Sequence, residues 1–113
     1  MAPLLEPRMK KYNKLVRDRI PEIILASGKL PAFRTMEDEE YRFALRAKLL
    51  EEASEVAEAD ETNLLSELAD LAEVLDATIA ANGFTLSDVR AERDIRNAER
   101  GSFTQRTYLE RVD

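Results

Sequence analysis

A chain of 113 residues, 44% apolar and 35% charged, is long enough for one domain with a modest core and too apolar for a disordered segment. It contains no Cys and no His, which excludes disulfides, thiol catalysis, a histidine base and the commonest zinc ligands. The net charge of −6 is uneven: residues 1–34 balance at +5, residues 35–83 at −11 and residues 84–113 at zero, an acidic middle that argues against a nucleic-acid groove.

Residues 1–11 read as a flexible N-terminal arm, followed by a single helical domain over 12–113. Tyr12 to Pro21 forms an ordered lead-in, and a short helix over Glu22–Ser27 has Pro21 in its first turn and Gly28 as its stop. Pro31 to Thr35 is extended. A long helix is expected over 37–59, capped by Thr35 or Asp38, with the acids at 37–40 suiting the positive end of its dipole. After a break at Asp60–Asn63, a second runs over 63–82 to Asn82-Gly83. Thr85-Leu-Ser-Asp88 starts a third over 86–100, ended by Gly101. A short extended pair joins residues 32–35 to 106–110. No run approaches a membrane span and the N-terminus lacks a signal-type apolar core, so a cytoplasmic protein with no membrane partner is expected.

The second long helix is apolar over most of its circumference, from Leu64, Leu65 and Leu68 through Leu71, Val74 and Leu75 to Ile79. A helix apolar all round is buried all round, and one small chain offers too few partners to cover it. The fold class is therefore an all-α helical bundle completed by self-association, as a dimer or tetramer.

The informative residues are acids. At about 100° per residue, Leu45, Leu49, Glu52 and Val56 share one stripe, so Glu52 stands among leucines, where a carboxylate is costly unless paired or bound to a cation. Glu55 lies one turn on and Glu51 flanks it. On the next helix Glu67 falls between Leu71 and Val74, with Asp70 beside Val74. A single such pair is usually a solvated face, and an interhelical salt bridge is the other bland reading, with Lys48 the nearby cation. Two pairs spaced i, i+3 on consecutive helices, both at the apolar face, favour a hard divalent cation, Mg²⁺ in particular with Mn²⁺ as a substitute.

Glu51-Glu52-Ala-Ser-Glu55, eleven residues and Glu67-Leu-Ala-Asp70 resemble the acid signature of the MazG superfamily of all-α nucleotide pyrophosphohydrolases. Tyr12 to Pro21 and Arg100-Gly-Ser-Phe103 are similar to its phosphoribosyl-ATP pyrophosphohydrolase-like subgroup, and the resemblance covers about residues 12–110. The eleven-residue connection is at the short end for that family. The resemblance implies an obligate helical assembly that cleaves a nucleoside triphosphate between its α- and β-phosphates with Mg²⁺. It implies Glu52, Glu55, Glu67 and Asp70 as metal ligands, with Glu51 as a further acid that binds a second ion or orients the attacking water, so that Glu51, Glu52 and Glu55 are the catalytic acids. Arg93, Asn97 and Arg100, at i, i+4 and i+7 of the last helix, resemble its phosphate contacts, and Lys14, Arg17 and Lys48 are further candidates. The alternatives are a phosphoribosyl-ATP pyrophosphatase of histidine biosynthesis and a non-catalytic helical interaction protein.

Overall fold

The computed structural model describes residues 10–113. Most of the expected arm lies outside them. Four helices follow in order: α1 (Ile20–Ala26), α2 (Asp38–Glu58), α3 (Leu64–Ala81) and α4 (Leu86–Arg100). The architecture is all-α, and no described helix is long and apolar enough to cross a membrane.

Local chemistry sets each boundary. α1 begins two residues before the expected start, with Pro21 in its first turn, where the missing N–H removes no helical bond. It ends before Gly28, whose φ of 88° lies in the left-handed region. α2 begins after Glu37, without the side-chain cap expected from Thr35 or Asp38. Three acids in its first turn face the dipole instead, and Glu40 accepts two hydrogen bonds from Arg34 at 2.6 and 2.7 Å. Between α2 and α3 the Asp60 carboxylate accepts from the backbone N–H and side-chain amide of Asn63, at 2.9 and 3.0 Å. That local turn competes with helix and breaks the chain there. α4 opens with the expected capping box: the Thr85 hydroxyl accepts from the Asp88 N–H, and the Asp88 carboxylate accepts from the Thr85 N–H.

The short turn folds α2 and α3 into a helical hairpin, the main packed unit. α4 touches only α3, and α1 packs against none of the other helices. Leu45 on α2 and Ile79 on α3 are the only buried apolar residues among those described, at 2% and 8% exposure. The expected extended pair does not form: no strand occurs among the described residues. Arg106 turns the chain at a φ of 56°, with its N–H on the Phe103 carbonyl, just where the second segment was expected to run straight. Phe84, which follows Gly83 at the end of α3 and would be read from the sequence as a core residue, is exposed in the single chain.

Candidate metal centre

The hairpin brings the two acid pairs face to face. One carboxylate oxygen each from Glu52, Glu67 and Asp70 lie within 4.8 Å of one another, a spacing that one cation could span. Glu52 is buried, as its place on the leucine stripe requires, with 7% of its surface exposed. Its Oε2 and that of Glu67 are out of solvent and have no hydrogen-bond partner. Two orphaned carboxylate oxygens in one acidic cluster are costly in a protein without a cation, because each has lost water and feels like charge. The donor set suits a hard divalent ion. Glu55, expected as a fourth ligand, is exposed at the rim and reaches Glu67. Glu67 is pushed above the usual carboxylate range, first by lost solvent, then by its contact with Glu55 and the charges of Glu55, Asp70 and Glu52.

Cations ring the cluster from outside. Lys14 donates to Glu51 Oε1 at 3.0 Å and Lys48 to Glu51 Oε2 at 3.3 Å, with Lys48 Nζ also 3.5 Å from Glu52 Oε1. The Arg17 guanidinium donates to Asp70 Oδ1 at 2.7 Å. The Lys14 hydrogen bond is the largest influence on Glu51, which is held below the usual carboxylate range, and the same bond raises Lys14. The lead-in thus crosses the hairpin and ties α2 to α3. Composition hid this, because Lys14 and Arg17 stand 37 and 53 residues from their partners. Lys48 is therefore joined at the acids by two cations that sequence spacing alone does not place there.

The remaining candidates stand apart. Arg93, Asn97 and Arg100 are exposed on α4, and their side chains make no hydrogen bond or ion pair among the described residues. α4 packs against α3 but not against α2, so helix packing within one chain does not bring these three residues to Glu51, Glu52 or Glu55. A groove lined by Arg34, Glu37, Glu40 and Phe43 lies at the other end of α2, where Arg34 and Glu40 already neutralise each other.

No protein-family model matches the chain, and no solved structure matches it. A protein of Mycolicibacterium smegmatis, described only as uncharacterized, is 60% identical over 47 residues, which is 42% of this chain and 48% of that protein. The matched stretch therefore spans about half the length of that relative, and the similarity carries no activity with it.

Proposed function

We propose that the protein is a Mg²⁺-dependent nucleoside triphosphate pyrophosphohydrolase that cleaves between the α- and β-phosphates. The observation that carries this reading is the pair of orphaned oxygens on Glu52 and Glu67, two residues that cluster with Asp70. A divalent cation held there supplies charge neutralisation on the phosphates and activation of the attacking water, the two main demands of phosphoryl transfer. Glu52, Glu67 and Asp70 hold it, and Glu55 completes the set from the rim. With no His or Cys in the chain, water is the nucleophile and a carboxylate takes its proton. Glu55 is better suited to that task than Glu51, whose two oxygens are both engaged by ammonium groups. The residue set agrees with the MazG-like acid signature, and the Mg²⁺ requirement, house-cleaning role and cytoplasmic setting rest on that resemblance.

Self-association belongs to the same reading. Leu65 is 80% exposed on α3 and Leu50 75% exposed on α2, surface that a second copy would cover. Arg93, Asn97 and Arg100 would then reach a triphosphate held at the acids of a neighbouring chain. Incubation with a panel of triphosphates and Mg²⁺ in ¹⁸O-labelled water tests the activity. The expected products are pyrophosphate without label and a monophosphate carrying ¹⁸O. Orthophosphate with a diphosphate would place cleavage at the γ-phosphate and refute the reading.

A second reading has its own support. Lys14, Arg17 and Lys48 already neutralise part of the cluster, as they would in a non-catalytic helical protein. Unchanged thermal stability on adding Mg²⁺ or Mn²⁺, with no turnover, would favour it.

A further inference from the structure

The three cations around the cluster do not fall evenly. Both oxygens of Glu51 are taken, one by Lys14 and one by Lys48. Lys48 Nζ also lies 3.5 Å from Glu52 Oε1, so it bridges Glu51 and Glu52 as a second divalent ion between them would. Its side chain is only 14% exposed, against 42% for Lys14, which makes it a fixed part of the wall. The Glu52 side chain beneath it is nine-tenths buried, with Oε1 turned to Lys48 and Oε2 unpartnered. The oxygens left without a partner are Glu52 Oε2 and Glu67 Oε2, on residues that share a cluster with Asp70.

Charge points the same way. Glu51, Glu52, Glu55, Glu67 and Asp70 bring five negative charges when ionised, and Lys14, Arg17 and Lys48 bring three positive ones. The deficit is that of one divalent cation.

We propose that Lys48 is a built-in cation in the place of a second metal ion, so that the acid cluster binds a single divalent cation per chain. This rests on the metal reading above and sharpens it. Any second divalent ion used in the chemistry must then arrive with the polyanionic substrate, because Lys48 already stands between Glu51 and Glu52.

The test counts Mn²⁺ bound to the whole protein without nucleotide, from the electron paramagnetic resonance signal of the free ion. The wild type should bind one Mn²⁺ per chain. Lys48→Met keeps an unbranched chain of similar length without the charge and should gain a second, weaker Mn²⁺, while Lys48→Arg should return the count to one. Two ions per chain in the wild type, or one in a folded Lys48→Met, would overturn the proposal. No Mn²⁺ bound to the wild type would overturn it together with the metal reading, whereas two ions leave that reading standing. Circular dichroism checks the fold of Lys48→Met, and should that variant unfold, the wild-type count decides alone.

Discussion

At the scale of single residues, the acid cluster separates side chains that bind from side chains that hold others in place. Glu52→Gln alters the most buried of the proposed ligands, and on that proposal Mn²⁺ binding and triphosphate cleavage should both be abolished while the helical circular dichroism signal stays unchanged. Arg17 should behave differently. It grips one oxygen of Asp70 at 2.7 Å and fixes how that carboxylate faces the cluster. Loss of such an outer partner typically weakens metal binding about 10–100-fold. Arg17→Ala should fall near the lower limit, because the pair is half exposed, with side-chain exposures of 57% and 42%. Tighter Mn²⁺ binding in Arg17→Ala would mean that the guanidinium competes with the ion. Glu67 gives a pH dependence. Its folded-state pKa lies above the ordinary 4.5, so the folded chain holds that proton more firmly than the unfolded chain does. Its contribution to metal-free stability is therefore most favourable below the ordinary value and is lost as pH rises through the folded one. In excess chelator at pH 7, Glu67→Gln should melt higher than the wild type, and the gap should close as pH falls towards 4. An equal gap at both pH values would show that like-charge repulsion is not the cause.

At the scale of elements, what could be read from the sequence depended on whether its cause was local. The four helices and their ends are local: Pro21, the Asp60–Asn63 turn, Gly83 and the Thr85–Asp88 box each act within a few residues, and each boundary fell within two residues of its expected place. The burial of Glu52 was equally legible, because helical periodicity alone puts it beside Leu45 and Leu49. The partners of Lys14 and Arg17 were not legible, since they depend on how the lead-in crosses the finished hairpin. The expected pairing of 32–35 with 106–110 failed for a related reason. Extended sequence at both ends says nothing of the left-handed turn at Arg106, the first residue of the second segment. For α4 the prediction concerns its free basic face. If Arg100 meets the triphosphate, its loss removes a charge-assisted contact of about 1.5–3 kcal/mol, roughly ten- to a hundredfold in kcat/KM. Arg100→Ala should leave Mn²⁺ affinity in the absence of nucleotide unchanged, which separates a phosphate contact from a disturbance of the acids.

At the scale of the whole molecule, the single chain is not a finished globule. Its radius of gyration is 19.9 Å, against about 13 Å for a compact domain of about 100 residues. Its accessible surface is 10831 Å² at a mass of 12.9 kDa, where a compact monomer of that mass exposes about 6300 Å². Two buried apolar side chains, Leu45 and Ile79, cannot offset the conformational entropy of ordering a hundred residues, which is of order 100 kcal/mol. Apolar surface on Leu50, Leu65, Leu68 and Leu75 is left exposed in one chain and could supply the missing burial on the proposed self-association. A second copy of the same chain offers a matching apolar face, and a symmetric contact is the commonest way such faces are covered. Light scattering at micromolar concentration should therefore give the mass of two or four chains. The melting temperature should fall on dilution, by about 3–5 °C per tenfold for a dimer of this size, because folding and association are then one equilibrium. Leu65→Glu is the sharper test. The side chain is 80% exposed in the protomer, so the substitution removes almost no contact within one chain. It would nevertheless place a charge in the covered face, and it should lower the melting temperature and reduce or abolish the assembly. A Leu65→Glu protein with the wild-type mass and melting temperature would show that α3 is covered in some other way, and a concentration-independent 12.9 kDa species in the wild type would show that it is not covered at all.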